Sequence, residues 1–177
     1  LANDANAAAI GEMLFGNAHG MKHFMVITLG TGLGSGIVTD GRLLCGASGF
    51  AGELGHTTVN PNGRQCGCGK RGCLETYVSA TGLVRTARSL LARRCNPSPL
   101  REMTFQEMSS KRIFELAAAG DALALEAFDR TARILGMKMA DAVAHLSPEA
   151  IFLAGGLAKA GDLLLKPTEQ YMNDFLF

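Results

Sequence analysis

The sequence predicts an α/β fold with strands near its start, a helical second half and one more short strand near its end. Three observations carry that reading. Residues 23–29 (HFMVITL) form an apolar, β-branched run of strand length, closed by a glycine cluster at 30–36. Residues 121–146 hold the longest amphipathic stretch, with apolar positions at helical spacing. Residues 151–154 read as a short buried strand that Gly155 and Gly156 turn into a further helical segment. With 177 residues, 47% of them hydrophobic, the chain can bury one sizeable core, so a single domain is expected. Periodicity leaves the strand order open.

The elements follow in chain order. Asn3 and Asp4 precede an alanine-rich helical stretch at 5–15. Aspartate is a strong N-cap, so Asp4 is expected at or beside a helix N-terminus. After the strand at 23–29 and its glycines, Ile37, Val38 and Thr39 resume strand character. Asp40-Gly41 is a hairpin signal, followed by the short apolar piece Leu43-Leu44. Residues 46–75 lose all periodicity, and a loop this long inside a compact domain needs its own staple or a function. A helical pattern starts at Leu74, breaks within 79–82 and continues to about Arg94. Pro97 and Pro99 mark a linker, and Thr104 with Glu107 has the capping-box spacing that predicts a short helix start. Asp121 caps the long helix, which ends before Ser147-Pro148.

Bulk properties exclude several classes. A net charge of +1 gives no steering toward nucleic acid or an anionic membrane. Nothing in the chain has the length and apolarity of a membrane span. Five cysteines, an odd number, with no secretory signal in view argue against a disulfide framework. The chain opens on Leu1 and closes on the apolar Phe175-Leu176-Phe177, so it reads as a fragment of a longer, cytoplasmic protein. Cys95 reads as a bystander thiol, and His19, His23 and His145 as surface or helix-end residues. Arg85, Arg88, Arg93 and Arg94 read as a solvated helix face.

The chemistry concentrates in four motifs. His56 with Cys66, Cys68 and Cys73 offers one imidazole and three thiolates, the donor set of a closed, tetrahedral, structural zinc site. Glycines at 67, 69 and 72 let the backbone wrap a small ion. Second come the acids Asp4, Glu53 and Glu75. Glu53 and Glu75 flank metal ligands in sequence, so the metal loop is expected to gather Glu53, His56 and Glu75. Carboxylates accept hydrogen bonds from several hydroxyls at once, as a polyol ligand requires. Third, Gly30, Thr31 and Gly32 sit in a glycine-rich turn able to aim backbone N–H groups at phosphate oxygens, though an ordinary hairpin fits equally well. Fourth, Gly155 and Gly156 between strand and helix would let a nucleotide approach the backbone, or serve only as packing glycines.

In this order the motifs resemble the ROK (repressor/ORF/kinase) family of sugar kinases and repressors, over nearly the whole chain. The carrying residues are Asn3-Asp4-Ala5-Asn6, Gly30-Thr31-Gly32, Glu53-Leu54-Gly55-His56, Cys66-x-Cys68-x4-Cys73-x-Glu75 and Ala154-Gly155-Gly156. The resemblance implies a ribonuclease-H-like, actin/hexokinase-type ATPase fold, of which residues 1–177 would be the larger, C-terminal lobe. It implies a glucokinase-like activity, with ATP, Mg2+ and a hexose as partners and a homodimer as the assembly. Asn3 and Asp4 would contact the sugar, with Asp4 as general base, and Glu53, His56 and Glu75 would hold the other hydroxyls. Gly30, Thr31 and Gly32 would face the ATP phosphates, and Gly155 and Gly156 the adenosine. The N-terminal lobe and the C-terminal end of the family are absent from these residues, so this stretch alone is expected to turn over little. A sugar-sensing repressor of the same family is the first alternative, and would bring nucleic acid as a partner. A zinc-stabilised interaction domain is the second.

Overall fold

The structure, a computed structural model, describes residues 4–177, so Asn3 lies outside the described residues. Four strands form one mixed sheet in the order β3-β2-β1-β4: β1 (Phe24–Leu29), β2 (Leu33–Thr39), β3 (Arg42–Leu43) and β4 (Ala150–Ala154). β1 runs antiparallel to β2 and parallel to β4. The hairpin between β2 and β3 turns at Asp40 (φ 51°) and Gly41 (φ 70°), the left-handed pair that an Asp-Gly turn supplies.

Both faces of β1 are buried, which explains its unbroken apolar run. Phe24 and Val26 face one layer, where helix α1 (Asp4–Phe15) lies against the sheet through Ala9. Met25, Ile27 and Leu29 face the larger core built with the later helices. Those are α2 (Ala80–Arg93), α3 (Ser110–Ala118), α4 (Ala122–Leu146) and α5 (Asp162–Phe175). Asp121 caps α4 as expected, accepting a hydrogen bond from the Ala124 N–H at 2.8 Å.

Two helix starts differ from the sequence reading. Leu74 begins a single 3-10 turn (Leu74–Thr76), and α2 starts only at Ala80, capped by the Ser79 hydroxyl on the Gly82 N–H at 2.9 Å. A serine cap wins there because it satisfies an otherwise orphaned donor. Glu107 does reach back to the Thr104 N–H at 2.8 Å, yet it closes one turn rather than a helix, and α3 begins at Ser110 with Ser109 as cap. The arginine face of α2 is also more than solvated: Arg85 bonds the Gln65 carbonyl, Arg88 stacks on Phe105, and Arg94 pairs with Glu126.

α4 and α5 cross at Gly136, where a Cβ would lie 2.7 Å from both the Met172 nitrogen and the Thr168 carbonyl oxygen. Those atoms are backbone and cannot rotate away. Gly136→Ala is therefore expected to lower stability by about 1–3 kcal/mol, the usual cost of overpacking a close crossing. Thermal melting checks it: an unchanged midpoint would mean that α5 moves aside freely.

Candidate active site and metal centre

The aperiodic stretch 46–75 is held by backbone pairing between its two arms. The Val59 N–H bonds the Gly72 carbonyl at 2.8 Å, and the Leu74 N–H bonds the Thr57 carbonyl at 2.9 Å. This brings His56, at the end of a 3-10 turn, against the 66–73 segment. The donor atoms of His56, Cys66, Cys68 and Cys73 all lie within 4.8 Å of one another. Cys68 Sγ is 3.7 Å from Cys73 Sγ, and Cys66 Sγ is 3.7 Å from His56 Nδ1. A Zn–S bond of about 2.3 Å gives a tetrahedral edge of about 3.8 Å, so the spacing and the donor set both fit one tetrahedral ion.

Without a metal, Cys66 and Cys73 hold their protons more tightly than a free thiol does. Burial, helped by a hydrogen bond to Glu75, pushes the Cys66 thiol up to about 12. Burial raises Cys73 as well, whereas the backbone N–H of Lys70 lowers Cys68. A bound cation must displace those protons, which ties its affinity to pH.

Glu75 follows directly from the metal loop. Its Oε1 accepts from Cys66 Sγ at 3.0 Å and lies 3.6 Å from His56 Nδ1. The other carboxylate oxygen faces the sheet: a Cβ on Gly32 would meet Glu75 Oε2 at 2.8 Å. Two residues on, a Cβ on Gly34 would meet Asp4 Oδ1 at 3.6 Å and the Ala5 side chain at 2.9 Å. Two residues of extended chain span roughly 7 Å. Asp4 and Glu75, 71 positions apart in sequence, thus lie against backbone positions two residues apart, Gly34 in β2 and Gly32 just before it. Asp4 is the first residue of α1, and its Oδ1 accepts from the Ala5 N–H at 2.7 Å.

Glu53 is placed differently. Its main-chain carbonyl accepts from the His56 N–H at 3.1 Å. Its exposed side chain borders a second cleft of about 410 Å³ with Phe50, Leu54, Lys138 and His145. Among the described residues its carboxylate makes no contact with His56 or Glu75. The loop therefore joins two of the three groups expected to converge.

The glycine motifs meet in a larger cleft. Gly30 and Thr31 from the β1–β2 turn and Gly156 from the turn after β4 border a cavity of about 580 Å³. Gly155, at φ 95°, sits beneath, where a Cβ would press on the Leu29 carbonyl oxygen at 2.6 Å. Sequence reasoning missed the rest of the lining. Phe114, Phe128 and Leu157 give the cleft apolar walls, and Ser110, Lys111 and Lys159 give it a polar, cationic rim. The first turn of α3 contributes Ser110 and Lys111. Spaced as ordinary core aromatics on α3 and α4, Phe114 and Phe128 carried no signal that singled them out. The 30–32 turn borders both places at once, with Gly30 and Thr31 in the cleft and Gly32 against Glu75.

Comparison with known proteins agrees with this layout. A family model described as "ROK family" matches residues 1–177. The chain is 45% identical over 175 residues to a glucokinase of Halalkalibacterium halodurans, covering 98% of this chain and 53% of that protein. It is 32% identical over 175 residues to a xylose repressor of Caldicellulosiruptor bescii, covering 99% of this chain and 44% of that protein. A ROK family glucokinase from Streptomyces griseus, solved with glucose and AMPPNP, superposes with a TM-score of 0.89 at 37% identity over 100% of this chain and 58% of that one. The chain thus spans about half the length of the curated relatives it matches. Its mixed sheet between helical layers is the actin/hexokinase-type ATPase fold of the sugar-kinase structures.

Proposed function

This chain belongs to the ROK family, and on that premise we propose that it is the larger, C-terminal lobe of an ATP-dependent hexose kinase, with glucose as the leading substrate. The observation that carries the reading is the 30–32 turn. Its Gly32 lies against Glu75, two residues before Gly34 against Asp4, and its Gly30 and Thr31 border a cleft of about 580 Å³. Phosphoryl transfer needs the attacking hydroxyl brought in line with the γ-phosphate, and a turn that borders both places can bring the two together.

In this reading Asp4 accepts the proton of the sugar 6-hydroxyl as its oxygen attacks the γ-phosphorus and ADP leaves. Asn3, His56 and Glu75 would meet the remaining hydroxyls, whereas Glu53 borders the second cleft. Zinc is the ion for His56, Cys66, Cys68 and Cys73, in a structural role. An ion held there would fix the orientation of the His56 ring and leave its other nitrogen for the sugar. A metal-bound Cys66 has no proton to give Glu75, so loading also frees that carboxylate for hydroxyls. Gly30, Thr31 and Gly32 face the phosphates, and Gly155, Gly156 and the Phe114–Phe128 wall face the adenosine. Mg2+ accompanies ATP and offsets the charge of its phosphates.

A sensor function within the same family is the second reading, favoured by the 32% identity to a xylose repressor over 99% of the chain. A panel of glucose, fructose, allose, N-acetylglucosamine and N-acetylmannosamine with ATP separates the two on the full-length protein. Phosphorylation of glucose is the expected result. Binding of a sugar without phosphorylation of any would overturn the kinase reading in favour of the sensor. No sugar binding at all would leave a zinc-stabilised interaction domain.

A further inference from the structure

The 30–32 turn is anchored by a feature that the functional reading does not use. Residues 79–81 join the metal loop to the first turn of α2. The Ser79 hydroxyl donates to the Glu75 carbonyl at 2.7 Å and accepts from the Gly82 N–H at 2.9 Å. The Thr81 hydroxyl donates to the Thr31 carbonyl at 2.8 Å, across 50 residues of sequence. The Ala80 N–H donates to the Gly30 carbonyl at 2.9 Å. One short segment therefore grips Glu75 from one side and the cleft-lining turn from the other.

The proton count decides which bonds are committed. Ser79 and Thr81 lie 3.1 Å apart, and each hydroxyl has one hydrogen. If Ser79 gives its proton to Glu75 and Thr81 gives its own to Thr31, the contact between them carries none. Among the described residues Thr81 is thus the side chain that bonds the Thr31 carbonyl, and a hydroxyl, not a methyl, is what it must supply. The residue is exposed, so its removal leaves the core packing untouched.

We propose that Thr81 is a positioning residue: it acts through Thr31 and holds the nucleotide side of the turn in register with Glu75. This rests on the kinase reading for the identity of the ligands, but not for the tether itself. Without that hydroxyl the turn would still form, held by the Ala80–Gly30 bond and by the Gly30 N–H on the Gly32 carbonyl at 3.0 Å, but the Thr31 carbonyl would lose its tie to α2. The N–H groups of the turn would then meet a phosphate chain in many orientations, and the order lost is regained only when nucleotide binds.

The test uses full-length Thr81→Val, which keeps the shape and deletes the hydroxyl, and Thr81→Ser, which keeps the hydroxyl. A single neutral hydrogen bond corresponds to a change of about fivefold. Thr81→Val is expected to raise KM for ATP by about fivefold while KM for the hexose stays within twofold, because Glu75 is still held by the metal loop. Thr81→Ser is expected to restore the wild-type KM for ATP. A merely structural role would lower the melting temperature of Thr81→Val and leave both KM values in place, and that result overturns the proposal. Calorimetry with AMPPNP reads the same fivefold change without turnover, so a full-length protein that phosphorylates nothing would sink the kinase reading and still decide this one. Equal AMPPNP affinity in Thr81→Val and wild type, or no AMPPNP binding by either, overturns the tether.

Discussion

Cys73→Ser in the full-length protein is expected to abolish stoichiometric zinc and to weaken hexose binding by more than about 100-fold, while most of the helix content survives. The size of the effect follows from what holds residues 46–75 together. That stretch has almost no apolar periodicity, and its order rests on a few backbone bonds, two 3-10 turns and the metal ligands. Structural zinc contributes about 10–16 kcal/mol in small metal-folded peptides, comparable to the whole stability of an ordinary domain at about 5–15 kcal/mol. Losing one of three thiolates forfeits most of that contribution. The sheet and α2 to α5 have their own core around Ile27, Leu83, Phe128 and Leu135, so they stay folded. Serine replaces a fully buried thiol with little change of volume, so the loss is one of coordination and not of packing. Metal analysis, sugar calorimetry and limited proteolysis together check the expectation: no zinc, no measurable hexose binding, and new cleavage inside 46–75. Cys95→Ser, at an exposed cysteine outside the metal set, serves as the control and should match wild type in all three. Retention of hexose affinity by Cys73→Ser would detach the sugar site from the metal.

How much of this was legible in the sequence depends on how locally each feature is encoded. The gathering of His56, Cys66, Cys68 and Cys73 was legible because three of them fall within eight residues and their donor chemistry suits one ion. Glu75 was legible because adjacency to Cys73 is itself a spatial constraint. Glu53 was not, since the 3-10 turn at Leu54–His56 decides which way its side chain leaves the chain. The cleft was half legible. Its glycines announce close backbone approach, but Ser110, Lys111, Phe114, Phe128 and Lys159 come from three segments that only the packing of α3 on α4 and the turn after β4 assembles. The strands were read well because β1 is buried on both faces and β2 follows a glycine turn. The stretch from Leu74 was read as helical because a 3-10 turn carries nearly the same apolar spacing as the first turn of an α-helix, whereas α2 begins at the break read at 79–82.

In the proposed kinase reading the chemistry turns on Asp4, and Asp4→Asn is the sharpest way to ask for it. Asparagine keeps the shape and an oxygen that can accept the 2.7 Å bond from the Ala5 N–H, so the start of α1 is preserved. It removes the negative charge that the helix N-terminus favours, at a cost of about 0.3–1 kcal/mol, too small to unfold the domain. What it cannot do is take a proton. General-base assistance is worth about 100- to 10,000-fold in rate. With full-length protein, kcat for glucose is therefore expected to fall by that factor in Asp4→Asn, with zinc content unchanged and glucose affinity within a few-fold of wild type. A drop in affinity with kcat unchanged would make Asp4 a binding group only and move the base elsewhere. Wild-type turnover in the variant would remove Asp4 from the chemistry altogether. The same substitution separates the family's two functions. A sugar sensor that needs the carboxylate only as a hydrogen-bond acceptor should respond to its sugar nearly as before, because an amide oxygen serves that purpose. A kinase should bind the sugar just as well and then fail to phosphorylate it.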